Sequence, residues 1–345
     1  MLSYILKRLA LMLPTLIGAL SVTFVVIQFV PGGPVEQALA QARSRGGGGD
    51  TGGYRARGDS DAKQIEALKK LYGFDKPVHV RYFEMLKNFA SFNLGQSFQQ
   101  NKAVWDLIVE KLPVSISLGL WTFLATYLIS VPLGIAKAVR DGSGFDIATT
   151  LAVLAGYAIP GFVLGVFLIV LFAGGSFWEL FPLRGLISEN WAELSWSARI
   201  ADYFWHLTLP LICLVIGSFA TMAFLTKNTF IEEMRKQYVL VARAKGLSKQ
   251  RVLWKHIFRN ALIPIVTGFP SAFIGAFFTG ALLIETLFSL DGLGLLSYES
   301  IVRRDYPVVL GSLYLFTLIG LVVKLISDVI YTLVDPRVQF GAAAK

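Results

Sequence analysis

The sequence predicts an all-α membrane protein with six transmembrane helices and a long outer segment after the first helix. Hydrophobic residues make up 54% of the 345-residue chain and charged residues 16%, with a mean hydropathy of +0.60. Soluble proteins average about 25% charged residues, so lipid is the expected solvent. Apolar stretches of the roughly 20 residues that a spanning helix needs lie near 9–30, 114–138, 147–173, 204–226, 262–288 and 306–334.

The first predicted helix occupies 1–30 and is followed by an outer segment over 31–113. Its apolar run exceeds the about 7–15 residues of a signal-peptide core, so a retained helix is expected rather than a cleaved leader. Residues 44–60 have the glycine-rich, polar composition of a flexible loop. Residues 61–77 have the periodicity of an amphipathic helix. The outer segment is therefore expected to combine a mobile loop with a small helical cap.

The remaining spans form a predicted core over 114–336, and several of them contain helix-breaking residues. Backbone groups freed by such residues must be satisfied by neighbouring helices or water when the helix lies in a bilayer. A packed bundle with interrupted helices is therefore expected, and gating or packing explains the interruptions equally well. The residues concerned are Pro132 with Gly134, Pro160 with Gly161, Pro210, Pro264 and Pro270.

Loop charge predicts the orientation of the chain. Nine Lys or Arg residues lie between Thr226 and Ala261, against two between Gly174 and Phe204. Because short cytoplasmic loops carry the excess of Lys and Arg, the basic segment 228–261 and both termini are expected in the cytoplasm.

The residues that carry catalytic, metal or nucleic-acid chemistry elsewhere are absent or scattered. Cys213 is the single cysteine, and the three histidines lie far apart in sequence, so no catalytic or metal site is predicted. The chain lacks GxxxxGK[ST], so any ATP that drives the protein must bind another subunit. The net charge of +9 is not gathered on a soluble domain with stacking aromatics, which argues against nucleic acid.

Ionisable residues inside spans are candidate functional sites. Lys324 and Asp328 share a face of the sixth span. Placing these two charged groups at the membrane interface costs less free energy than placing them at mid-membrane depth, as a proton relay would require. A proton-coupled secondary peptide carrier that depends on Asp328 is the alternative function. The candidates for a transport pathway are near helix breaks or polar within a span: Tyr157, Phe278, Thr279 and Glu285.

The basic segment contains a predicted helix, turn and helix. Gly246 is expected to end the first helix and Ser248 to cap the second. Arg251, Lys255 and Arg259 recur every four residues and form a supporting basic stripe. A knob that inserts into a partner and an interfacial segment held by anionic lipid explain this pattern equally well.

Residues 238–264, YVLVARAKGLSKQRVLWKHIFRNALIP, resemble the coupling segment of ABC importer permeases of the dipeptide, oligopeptide and nickel group. In that family the segment docks into a groove of the cytoplasmic ATPase. Its EAAxxxG motif falls on 240–246, but two residues depart from the acidic and first alanine positions, and His256, Phe258 and Arg259 replace the usual IxLP. The resemblance implies that the ATPase-coupling residues are Leu240, Val241, Ala242, Arg243, Ala244, Lys245 and Gly246.

The resemblance extends over nearly the whole chain, including LKRLALMLPTLIGALSVTFVVIQFVPGGP at 6–34, YGFDKPVHVRYFEMLKNFASFNLGQSF at 72–98 and the stretch 285–338. It is closest to the first permease subunit of the Yej-type peptide importers. It implies the type I ABC importer permease fold, a bacterial inner membrane and a periplasmic location for 31–113. The implied cargo is oligopeptides, including peptide-derived antibiotics such as microcin C.

The same resemblance implies the partners and assigns no cofactor to this chain. The expected partners are a second, different permease subunit, a periplasmic peptide-binding protein, membrane lipid and a cytoplasmic ABC ATPase. The ATPase is expected as two subunits or one fused pair, and it would hold the ATP and Mg.

Overall fold

The computed structural model describes residues 2–29, 66, 75–175, 177–278 and 282–334, and α-helices dominate these ranges. The predicted loop at 44–60 and nearly all of the predicted cap helix lie outside them. The helices are α1 Leu2–Phe29, α2 Val78–Ala90, α3 Val104–Val139, α4 Gly144–Ala158, α5 Gly161–Phe172, α6 Trp196–Met234, α7 Gln237–Ala244, α8 Lys249–Ala261, α9 Ile263–Phe278, α10 Leu282–Leu287, α11 Leu293–Val302 and α12 Tyr306–Val334.

The apolar helices agree with the predicted number of spans. Among the described residues, four helices are long and apolar enough to cross a membrane by themselves, namely α1, α3, α6 and α12. Two bent pairs bring the number to six if each pair is one span: α4 with α5, bent by 92°, and α8 with α9, bent by 48°. The basic residues of the second pair lie on α8, and α9 supplies its apolar part.

The predicted interruptions are correct at Pro160 and at Pro264, which lies beside the 48° bend between α8 and α9. They are wrong at Pro132, Pro210 and Pro270, and Pro270 lies inside α9. Ile159 has an extended backbone, with φ −90° and ψ 118°, because a residue that precedes proline is pushed away from the helical region. Pro160 then begins α5 in a new direction. Pro132 and Pro210 instead lie inside unbroken helices, since tertiary packing in a bundle can hold a helix through a proline.

The structure divides into two compact units. The first comprises Met1–Glu110 with Leu296–Leu321, and the second comprises Lys111–Leu295 with Val322–Lys345.

In the first unit, α1 packs on α2, and a buried carboxylate organises the loop before α3. The Ser21 and Tyr82 hydroxyls lie 2.6 Å apart, and the Arg81 guanidinium donates to Gln28 at 2.8 Å. The Asp305 carboxylate is buried and accepts hydrogen bonds from the Ser97 hydroxyl and, at 2.9 Å, from the Phe98 backbone N–H. The two hydrogen bonds to Asp305 fix this loop through polar groups that are buried or partly buried.

In the second unit, α3 and α6 approach so closely at Gly134 that this position has no room for a side chain. A Cβ atom added at Gly134 would lie 2.5 Å from the Thr226 Cβ and 2.7 Å from the Ala223 carbonyl oxygen. Small residues allow such close approach of helix backbones within membranes. A hydrophobic core in the same unit joins α5, α6 and α10 through Leu164, Cys213 and Ile284.

Candidate coupling site

The turn between α7 and α8 has the geometry of a glycine-terminated helix. The Gly246 N–H donates to the Arg243 carbonyl at 2.9 Å, and the Leu247 N–H donates to the Ala242 carbonyl at 3.3 Å. Gly246 has a φ of +81°, and an added Cβ atom would meet nothing within 4 Å. Glycine is therefore favoured by the left-handed backbone and not by crowding. The Ser248 hydroxyl accepts from the Arg251 N–H at 3.4 Å, so the predicted turn and cap are both present.

The inner face of the coupling segment (228–261) is a hydrophobic core. Ile135 and Ala138 from α3 and Phe230 from α6 pack in one cluster with buried residues of α7 and α8. Val239 and Ile257 are among these residues, and each is at most 1% exposed. Interiors packed in this way transmit displacement because they are nearly incompressible. The helices α7 and α8 are thus packed directly against α3 and α6.

The outer face of the predicted coupling residues is exposed and partly apolar. Leu240 and Val241 are 61% and 53% exposed, and they lie beside the exposed basic residues Arg243 and Lys245. Ala242 differs from the other candidates because it is buried and packs in the hydrophobic core. An apolar centre with charged neighbours is typical of an interaction surface.

The turn between α6 and α7 is held by one acidic residue. Glu233 contacts the Lys236 ammonium and accepts a hydrogen bond from the Tyr238 hydroxyl at 2.7 Å. The hydrogen bond to Glu233 raises the pKa of Lys236, so the cation is favoured there. This network gives the coupling segment a defined direction as it leaves α6.

The predicted basic stripe is exposed on α8. Arg251, Lys255 and Arg259 are all exposed, although a π-helical turn at Leu253–Ile257 interrupts the regular helix. The side chain of Trp254 is also 55% exposed and lies 5.0 Å from the Phe258 ring centroid. An aromatic side chain beside basic residues suits either a membrane interface or a protein partner.

The four pathway candidates do not form one site among the described residues. Tyr157 is exposed near the α4–α5 bend, whereas Glu285 is only 1% exposed. The Glu285 carboxylate accepts from the Leu295 N–H at 2.7 Å, and it closely approaches the backbone of Gly292. In this position the carboxylate supports the turn that precedes α11. Thr279 and the side chain of Phe278 lie outside the described residues.

Glu285→Ala is expected to lower the melting temperature of the detergent-solubilised chain, because the partly buried Leu295 N–H then loses its acceptor at a cost of about 1–3 kcal/mol. Glu285→Gln keeps a carbonyl acceptor and is expected to melt near the wild-type temperature. A thermal-shift measurement on both variants tests this structural role. Equal melting of Glu285→Ala and wild type, with altered uptake of charged peptides, would contradict it.

Sequence reasoning missed a buried charge cluster made by α3, α4 and α6. The Lys137 side chain is fully buried, and its ammonium lies 3.1 Å from the Asp146 carboxylate. Lys227 bridges Asp146 at 2.7 Å and the half-exposed Asp141 at 2.9 Å. A lysine within the predicted second span was the available signal, but its partners on other helices are set by tertiary folding. Buried charges of this kind require pairing, because an uncompensated one costs about 3–5 kcal/mol.

Four helices that could each cross a membrane, two bent apolar helix pairs and an exposed helix–turn–helix among the described residues are the features of a multi-pass membrane protein. The chain belongs to the family of binding-protein-dependent transport system inner membrane components, whose model matches residues 130–340. It is therefore a multi-pass inner-membrane protein and the translocation subunit of an ABC importer. In this family ATP hydrolysis takes place on a separate subunit, and a permease partner, an ATPase and a binding protein complete the importer.

Full-length relatives extend the similarity beyond the family match. The chain is 55% identical to the "Peptidoglycan transport system permease protein YejB" of Agrobacterium fabrum, over 98% of each chain. It is 50% identical to the "Inner membrane ABC transporter permease protein YejB" of Escherichia coli O157:H7, over 98% of this chain and 99% of that protein. It is 31% identical to the "Dipeptide transport system permease protein DppB" of Escherichia coli K12, over the same shares. These relatives give no support to the secondary-carrier alternative.

Proposed function

We propose that this chain carries oligopeptides from the periplasm into the cytoplasm, including peptides released from the cell wall and peptide-derived antibiotics such as microcin C. The observation that carries the proposal is the similarity over 98% of the chain to permeases whose names specify peptidoglycan or dipeptide transport. A peptidoglycan transporter handles wall fragments, and the peptide parts of such fragments are oligopeptides. The shared cargo chemistry is thus a short peptide backbone.

The proposed complex contains a second, different permease, one fused or two separate ATPase subunits, and a periplasmic binding protein that delivers the peptide. Both termini and 228–261 lie in the cytoplasm in this arrangement, because the basic loop residues favour that side. ATP and Mg then bind the ATPase and not this chain. Anionic lipid is a further partner for the basic stripe on α8.

In this proposal the outer face of 240–246 docks into the ATPase. Leu240 and Val241 supply exposed apolar contacts, and the buried base beneath them resists deformation. Closure of the ATPase would therefore displace α3 and α6 instead of bending the turn. Coupling of this kind requires that both partners have two states.

The pathway is proposed to pass near the α4–α5 bend, where the exposed Tyr157 precedes Pro160. Phe278 and Thr279 remain pathway candidates, because Phe278 is the last residue of a helix with an internal proline and Thr279 is the next residue in the sequence. Glu285 is not proposed for cargo contact, since its carboxylate is buried against a turn.

Deletion of the gene in its native bacterium tests the substrate class. Loss of the chain is expected to abolish uptake of labelled tri- to hexapeptides by this route and to confer resistance to microcin C, while uptake of the free amino acids is unchanged. Expression of the wild-type chain is expected to restore both phenotypes. Unchanged uptake of every labelled peptide in the deletion strain, with the other importers for peptides removed, would overturn the proposed cargo.

A further inference from the structure

The Asp146 carboxylate connects three separate parts of the second unit. One of its oxygens contacts Lys137 of α3, and the other contacts Lys227 of α6 at 2.7 Å. The Gly142 N–H in the α3–α4 turn donates to the same carboxylate at 3.2 Å. Asp146 itself belongs to the first turn of α4, where Ser143 caps the helix. One side chain thus links the end of α3, the start of α4 and α6.

Lys137 strengthens this connection by binding α4 through several groups. Its ammonium donates to the Asp146 backbone carbonyl at 3.0 Å and to the hydroxyls of Thr149 and Thr150 at 2.9 and 2.7 Å. A fully buried lysine with these acceptors cannot exchange its partners for water without opening the helix contact. These hydrogen bonds therefore fix the position of α4 along α3 as well as holding the two helices close together.

The cluster lies between the coupling segment and the bent span. On one side, α3 and α6 contribute Ile135, Ala138 and Phe230 to the core beneath the coupling segment. On the other side, α4 runs from Asp146 to the bend at Ile159. Four residues along α3 from Ala138, the close contact of Gly134 with α6 holds the same two helices together. No other buried ion pair joins α4 to both helices among the residues that the structure describes.

We propose that Asp146, Lys137 and Lys227 are positioning residues that make α4 move with α3 and α6 when the ATPase displaces the coupling segment. The cluster would carry that displacement to the α4–α5 bend beside the proposed pathway. This inference rests on the proposed function, because it concerns how ATP hydrolysis is converted into peptide movement.

Lys227→Met is the most informative variant, because the buried charges that remain in the cluster still have partners. Asp146 keeps Lys137, and Asp141 is half-exposed to water, so the variant is expected to fold. Proteoliposomes that contain the whole importer and a labelled tripeptide give the number of peptides imported per ATP hydrolysed. This ratio is expected to fall by about fivefold or more in Lys227→Met, the lower range of measured coupling between sites. Lys227→Arg retains the cation and is expected to keep the wild-type ratio.

A merely structural role would reduce uptake and ATP hydrolysis in the same proportion and leave their ratio unchanged, which would overturn the inference. If wild-type vesicles show no ATP-driven peptide uptake, the proposed function itself has failed. If the wild type couples normally and Lys227→Met has the same ratio, only the positioning role has failed.

A second measurement tests the proposal without the Lys227→Met variant, so it can be made even if that variant does not fold. Spin labels on the exposed positions of Ile147→Cys and Leu225→Cys report the distance between α4 and α6, and the natural Cys213 is buried. In the otherwise wild-type complex this distance is expected to stay within about 2 Å between nucleotide-free and ATP-bound states, the scale of small helix shifts. A larger change would overturn the inference, because the two helices would then move separately.

Discussion

Val241→Asp is expected to release the ATPase from the permease complex. Val241 is more than half exposed on the coupling turn, so aspartate is tolerated in the isolated chain. Docking would then bury an unpaired carboxylate at a cost of several kcal/mol, and each 1.4 kcal/mol corresponds to about tenfold in affinity. Co-purification of the ATPase with tagged permease is expected to fall by at least about tenfold.

Gln250→Asp is the matched control for this variant. It introduces the same charge at an exposed position that lies outside 240–246. The control is expected to retain the ATPase. Equal retention of the ATPase by Val241→Asp would mean that Val241 does not enter the interface, and the coupling role of 240–246 would have to be abandoned or moved.

Gly134→Ala is expected to destabilise the chain strongly, although alanine is the better helix former. The new Cβ atom would lie 2.7 Å from the Ala223 carbonyl oxygen, which belongs to the backbone and cannot rotate away. Relief requires that α3 and α6 separate, and overpacking of this kind typically costs about 1–3 kcal/mol or more. The melting temperature of the purified chain in detergent measures the effect.

Gly217→Ala provides a control with the opposite expected sign. Gly217 also lies within a long helix, but an added Cβ atom meets nothing within 4 Å. Replacement of an open helical glycine by alanine is expected to stabilise by about 0.5–1 kcal/mol. If the two variants melted at the same temperature, the close contact at Gly134 would not contribute to the stability of the bundle.

Hydropathy alone predicted the sixth helix well. The expected span at 306–334 matches α12, Tyr306–Val334, because apolar residues continue to its ends. The second span was predicted to begin at 114, whereas α3 begins at Val104. The first turns of α3 carry charges such as Asp106 and Glu110, which lower hydropathy without weakening a helix. Averaging hydropathy along the sequence therefore identifies the apolar part of a helix and does not detect its charged end.

Local chemistry likewise predicted the coupling turn, since a left-handed glycine followed by a serine cap needs only neighbouring residues. Contacts between distant parts of the chain could not be obtained in this way. The burial of Ala242 and Glu285, and the pairing of Lys137 with Asp146, depend on which helices meet. Pro132 also shows this limit, because tertiary packing keeps the helix continuous through a residue that disfavours it.

The role of this chain as an ATP-coupled peptide permease is tested most directly by measuring ATP hydrolysis and peptide uptake together in proteoliposomes containing both permeases, the ATPase, the binding protein and a labelled oligopeptide. Binding protein and peptide are expected to stimulate hydrolysis, and uptake is expected to require ATP. Ala244→Arg, which adds bulk to the exposed coupling turn, is expected to abolish both, whereas Gln250→Arg is expected to retain both. Peptide uptake by this chain without the ATPase, driven by a proton gradient and lost in Asp328→Asn, would contradict the ATP-coupled role.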